Sequence, residues 1–133
     1  MESIFKKVSE VLESGEITAL CTVVSTKGST PLKPGAKMIV WEDGRIYGTI
    51  GGGPVEKATM DDAIQVIKQN QPQLFIHDLK ADHEMCCGGQ MQIYIEPLIP
   101  MKKLFMFGGG HVGKAVVKHA LDLDFEITVI DPR

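Results

Sequence analysis

The sequence is short of several things, and each shortage closes off a class of protein. It holds three cysteines in 133 residues, two of them neighbours. So sparse and odd a set makes no disulfide framework, and reduced thiols are the expectation. Basic charge is not in excess: 14 Lys and Arg stand against 17 Asp and Glu, a net charge of −3. Nonspecific nucleic-acid binding needs a basic face and membrane-surface binding a polybasic patch, so neither partner is expected. Long apolar runs are missing. Ile17 to Val24 and Leu104 to Phe107 fall far below the roughly 20 residues of a membrane span. Met1 to Lys7 lacks a signal peptide's order of basic region, apolar stretch and small-residue cleavage site, so the expected location is the cytoplasm. No internal repeat, H-E-x-x-H or Walker A motif occurs. What is present, 44% hydrophobic and 23% charged residues, is an ordinary globular composition.

Length alone suggests one domain, yet the patterning divides the chain. Residues 3–14 read as an amphipathic helix, with Ile4, Val8, Val11 and Leu12 on one stripe and Gly15 as C-cap. Residues 17–25 are apolar on both faces, as in a buried strand. Residues 26–35 hold two prolines and two glycines and form a loop long enough to suggest a function. Strands over 36–41 and 45–50 flank an Asp43-Gly44 hairpin turn. A helix over 54–69 opens at Pro54. Strands over 73–78 and 90–96 follow, with His83 to Gly89 in the loop between them. Pro97 to Pro100 reads as a stiff linker. Beyond it come a strand over 103–107, a glycine turn over 108–113, a helix over 114–121 and a strand over 126–130. The expected architecture is an α+β domain over 1–97 (a mixed sheet with flanking helices), a linker over 98–102, and a truncated Rossmann-type βαβ unit over 103–133. Two parallel strands and one helix cannot bury both faces of a sheet. That segment therefore packs on the first domain, pairs with another chain that completes it, or belongs to a chain cut short. Its uncovered edge predicts self-association, and a homo-oligomer is expected.

Three features are candidates for chemistry. Gly108-Gly109-Gly110-His111-Val112-Gly113 matches G-x-G-x-x-G between a strand and a helix, and Asp131 ends the next strand. Gly108, Gly110 and Gly113 suit a pyrophosphate on a helix start and Asp131 a ribose hydroxyl, which makes NAD(P) a candidate ligand and an NAD(P)-binding oxidoreductase module the alternative reading. Otherwise the turn has a structural role only. Gly51-Gly52-Gly53 is a second strand-to-helix turn. Either it seats an anion, helped by Ser29, Thr30, Lys27 and Lys33, or it is a tight turn with close helix packing and solvated loop residues nearby. Glu56 in the first turn complements the helix dipole. Cys86-Cys87-Gly88-Gly89 puts two thiols in a glycine-flanked loop, suited to reactivity or to a soft metal, but adjacent cysteines are poorly spaced for structural zinc. Cys21, in mid-strand, reads as core.

Three blocks in order carry a resemblance. They are Gly28-Ser29-Thr30-Pro31 with Pro34 to Met38, then Gly48 to Gly53 with Glu56, then Cys87-Gly88-Gly89 followed by Ile95-Glu96-Pro97. The chain resembles the XdhC/CoxI family of xanthine dehydrogenase accessory proteins over residues 8–97, and Phe107 to Gly113 looks like the start of that family's C-terminal Rossmann domain. The resemblance implies a chaperone rather than an enzyme with its own turnover. Such a protein holds the molybdenum cofactor (molybdopterin), presents it to a cysteine desulfurase, and delivers it to a molybdenum hydroxylase such as xanthine dehydrogenase. It implies contact of Cys87 with the cofactor through its molybdenum, with Cys86, Gly88, Gly89, Gly51 to Gly53, Glu56, Ser29 and Thr30 around it. Many relatives carry a cysteine where Pro54 stands, so no role for that residue transfers.

Overall fold

The computed structural model describes residues 3–81 and 88–133. The chain divides into two units, Met1–Ile99 and Pro100–Arg133. The first runs α1 (Ile4–Ser14), β1 (Thr18–Lys27), β2 (Lys37–Trp41), β3 (Ile46–Gly48), α2 (Gly53–Gln69), β4 (Gln73–Asp78) and β5 (Gln90–Leu98). Its five strands form one sheet in the order β3-β2-β1-β5-β4.

Alternation along the central strands explains the two helices. Ala19, Cys21 and Val23 of β1, Met38 and Val40 of β2, and Met91, Ile93 and Ile95 of β5 pack with Val55, Ala63 and Val66 of α2. The intervening Leu20, Ile39 and Trp41 pack with Val11 of α1. A strand that is apolar on both faces is one with a helix over each face. α1 ends at Gly15, which adopts the left-handed conformation of a C-cap.

The unit is α+β with flanking helices, but its sheet is antiparallel at every pairing rather than mixed. The physical reason is the path of α2. β3 and β4 run in the same direction, yet α2 carries the chain to the opposite edge, and three strands separate the two. β5 also runs further than its alternation suggests. Thr18 pairs with Leu98 and Ala19 with Pro97, so Pro97 and Leu98 are strand rather than linker. Proline is tolerated there because β4 pairs with β5 only as far as Ile95, and the missing N–H faces an open edge.

The second unit is β6 (Lys102–Phe107), α3 (His111–Leu121) and β7 (Phe125–Ile130), with β6 and β7 parallel. α3 starts one turn earlier than the pattern suggests, at His111, so Gly113 lies inside the helix. Ala120 is the one buried residue among its hydrophobics. No helix among the described residues is long and apolar enough to cross a membrane.

Ile93 sits at the centre of the α2-side core with no exposed surface. Ile93→Ala is expected to cost about 3 kcal/mol through lost burial and a residual cavity. Urea unfolding followed by the fluorescence of Trp41, the single tryptophan, measures it.

Candidate functional site

Register brings the three sequence blocks together. β1 and β5 pair as far as Lys27 with Gln90, so the loop leaving β1 and the segment entering β5 lie side by side. A bulge between Val23 and Ser25 bends β1 just before that loop. Gly89 fits because it has no side chain: a Cβ there would stand 2.2 Å from the Ser29 carbonyl oxygen and 2.5 Å from that of Lys27. One on Gly28 would lie 3.3 Å from the Gly89 Cα. The Gly89 carbonyl accepts a hydrogen bond from the Leu79 N–H at 2.9 Å. Gly51, at φ +133°, closes the arrangement from the other side, since a Cβ there would meet Pro31 Cγ at 2.4 Å. Residues 28–31, 51 and 88–89 thus form one backbone surface at one end of the sheet. Gly52 and Gly88 differ, with no described atom within 4 Å of an added Cβ.

Glu56 holds the glycine turn. Its Oε2 accepts from the Thr49 hydroxyl at 2.5 Å, the Gly52 N–H at 2.9 Å and the Ile50 N–H at 3.3 Å. The negative charge that a helix start favours is therefore supplied by the chain itself. Pro54 in the first turn offers no donor. Ser29 is exposed, whereas the Thr30 hydroxyl donates to the Leu32 carbonyl at 3.1 Å. Lys27 and Lys33 are exposed. Cys86 and Cys87 lie outside the described residues. Cys21 is buried, and burial, with Asp62 adding to it, pushes its thiol far above the ordinary value, so it stays protonated and inert.

One pair escapes sequence reasoning. His77 Nε2 on β4 stands 3.0 Å from Asp62 Oδ2 on α2, both largely buried. The signal was there, since His77 falls two residues after Phe75 and shares its inward face. At the opposite end of the sheet an open hollow of about 600 Å³ is bordered by Glu16, Trp41, Asp43 and Arg45. Arg45 reaches Glu16 at 3.0 Å and Asp43 at 2.7 Å, and the Trp41 indole donates to Glu16 at 3.2 Å. Its charges answer one another, which suits a structural corner. No group of three or more His, Cys, Asp or Glu able to hold a metal occurs among the described residues.

In the second unit the glycines allow a tight turn and close packing of the helix. Gly108 takes φ +99°, and α3 packs so close that a Cβ on Gly113 would stand 2.2 Å from the Gly108 carbonyl oxygen. Gly110 is the N-cap. Asp131 is hydrogen-bonded within the unit. It accepts from the Gly109 N–H, from the Arg133 N–H at 2.9 Å, and from the Arg133 guanidinium at 2.7 and 3.0 Å. A hollow of about 500 Å³ lies between these residues, His111 and Lys114.

Two outcomes test this geometry. Glu56→Ala leaves the Ile50 and Gly52 N–H groups without their carboxylate, and a loss of about 2 kcal/mol is expected in urea unfolding. The Arg133 guanidinium and two backbone N–H groups hold Asp131 well below its ordinary value of 3.8. Its ionic contacts are complete above that value and are lost only as pH falls through the lowered one. Carbon-detected NMR should show Asp131 titrating below its ordinary value of 3.8, and returning towards that value in Arg133→Ala.

Comparison with known proteins places these features. A sequence profile of the XdhC and CoxI family matches residues 11–78. The chain is 33% identical over 133 residues to the uncharacterized protein YqeB of Escherichia coli strain K12, covering 97% of this chain and 24% of that one. It is 37% identical over 65 residues to the molybdenum cofactor insertion chaperone PaoD of the same strain, covering 49% of this chain and 20% of that one. The chain thus spans less than a quarter of the length of these curated relatives. In fold it is similar to a solved chain described as a xanthine dehydrogenase from Bacillus halodurans, with a TM-score of 0.63 at 16% identity over 99% of this chain and 63% of that one.

Proposed function

The chain belongs to the XdhC and CoxI family, and on that premise we propose that it binds a molybdenum cofactor as a chaperone and passes it to a molybdenum hydroxylase. The observation that carries the proposal is the meeting of residues 28–31, 51 and 88–89 on one backbone surface. The three blocks through which the chain resembles its family are one place in the fold. Similarity to a molybdenum cofactor insertion chaperone over half of the chain supports the same reading.

The residues present fit such a ligand. It carries a phosphate and a polar pterin, and its metal is bound by sulfur. The space beside Gly52 and Gly88 leaves room for the ligand, and the exposed Ser29 hydroxyl and the Lys27 and Lys33 ammonium groups offer donors to phosphate and pterin. Glu56 takes no direct part in this reading, because its carboxylate already bonds the turn. Cys87, next in sequence to Gly88, offers the soft thiolate suited to molybdenum. When bound, the cofactor supplies the redox chemistry of the enzyme that receives it. The protein's own task is to hold the group and shield its sulfur. Sulfuration by a cysteine desulfurase and transfer to a xanthine dehydrogenase-like enzyme complete the reading.

Anaerobic titration of the reduced protein with isolated molybdenum cofactor tests it. Saturable binding is expected, weakened at least about tenfold in Cys87→Ala, a loss of about 1.4 kcal/mol. A folded wild-type protein that does not bind overturns the proposal, and undiminished binding by Cys87→Ala removes the cysteine from it.

A further inference from the structure

Among the described residues one histidine is buried, His77 on β4. Its Nε2 stands 3.0 Å from Oδ2 of Asp62 on α2, and both atoms are shut off from solvent. The contact joins two elements that each lead directly to the candidate surface. α2 opens from the turn at Gly51 and Gly52, which the Glu56 carboxylate gathers. β4 ends at Asp78, the residue after His77. Leu79 follows, fully buried in the α2-side core, and its N–H donates to the Gly89 carbonyl at 2.9 Å. Gly89 is the residue wedged against the carbonyls of Lys27 and Ser29. The polar tie between α2 and β4 thus lies next to the bond that seats Gly89.

Few charges surround the pair. β5 sets the apolar Met91 beside His77. On β1, Cys21 feels the Asp62 carboxylate, and burial together with that charge keeps its thiol protonated. On α2, Lys57, Asp61 and Lys68 are exposed, and Glu56 is engaged by the turn. On β4, Asp78 bonds the N–H groups of Lys80 and Ala81. His77 is the ion-pair partner of Asp62. A carboxylate oxygen removed from water is costly without a cation or a donor. Neutral imidazole offers it one N–H, whereas imidazolium adds the opposite charge. Histidine gains and loses that charge between about pH 5 and 8.

We propose that His77 is a positioning residue that makes the candidate surface sensitive to pH: charged His77 clamps β4 to α2 and so holds Gly89 against residues 28–31, and loss of the proton loosens that hold. Its consequence rests on the chaperone reading, and is firmer retention of the cofactor at slightly acid pH and easier release as the pH rises.

Amide hydrogen exchange of the 133-residue chain tests the proposal with no cofactor present. The quantity followed is the protection of the Leu79 N–H relative to that of the Trp41 N–H, which bonds the Arg45 carbonyl at the opposite end of the sheet. The charges beside Trp41 do not change over the range used, because their mutual contacts lower the acids Glu16 and Asp43 and raise Arg45. From about pH 6 to about pH 8.5 the wild-type ratio is expected to fall about tenfold, the difference between a charged and a neutral hydrogen bond. His77→Gln keeps a neutral donor and cannot titrate, so its ratio should match the wild type's at the higher pH throughout. Asp62→Asn should abolish the pH dependence from the other partner. A purely structural role would lower protection in the variants and leave the wild-type ratio flat. A flat wild-type ratio, or a fall of wild-type size in either variant, overturns the proposal. Where one variant does not fold, the other decides. Cofactor titration at the same two pH values separates this inference from the chaperone reading. Wild-type binding is expected to weaken about tenfold at the higher pH, and His77→Gln binding to stay constant. Constant wild-type binding beside a moving exchange ratio overturns the consequence for the cofactor. A chain that binds at neither pH overturns the chaperone reading, and the exchange ratio still decides the role of His77.

Discussion

The pairing of β1 with β5 is the interaction on which the first unit depends. It runs from Thr18 with Leu98 to Lys27 with Gln90. It places alternate residues of β1 in the two cores, and it decides what stands at the end of the sheet. Because the strands stay in register to Lys27 and Gln90, the loop after one and the glycines before the other must share a narrow space. Gly89 is the residue that permits this, wedged against the carbonyls of Lys27 and Ser29. A side chain there would push the loop away, and the candidate surface would come undone with the rest of the sheet intact.

The acidic residues follow a common rule. Glu56 gathers the turn into α2, Asp131 the turn into α3, Asp43 the β2–β3 hairpin through the Arg45 N–H, and Asp78 the bend after β4 through the N–H groups of Lys80 and Ala81. Carboxylates that look like ligands when read along the chain are acceptors for the chain's own backbone, which a glycine-rich turn leaves without partners.

Much of this was legible in the sequence. Period-3.6 patterns located α1 and α2, a run apolar on both faces located β1, and period-2 alternation located β5. The Asp43-Gly44 turn, the Gly15 cap and the β-α-β character of the tail followed from local chemistry. What escaped was set by distant partners. The antiparallel sense of the sheet depends on where α2 sets the chain down, and the strand character of Pro97 depends on β4 ending its pairing at Ile95. For the site, the three blocks could be singled out, but their meeting required the β1–β5 register. The role of Glu56 was half legible: its place in the first turn suggested the dipole, while its bonds to Thr49, Ile50 and Gly52 belong to the folded turn.

The position of β5 also imposes an order of events during synthesis. β1 has one neighbour from its own half of the chain, β2, and its other edge is filled by a strand that ends 71 residues beyond the end of β1. At about 5–20 residues per second, the ribosome leaves that edge open for several seconds after β1 has emerged. Throughout that interval the nascent chain carries an apolar strand with one edge unpaired. The protein is thus most exposed to mispairing before it is complete, and the late arrival of β5 closes both the fold and the period of risk.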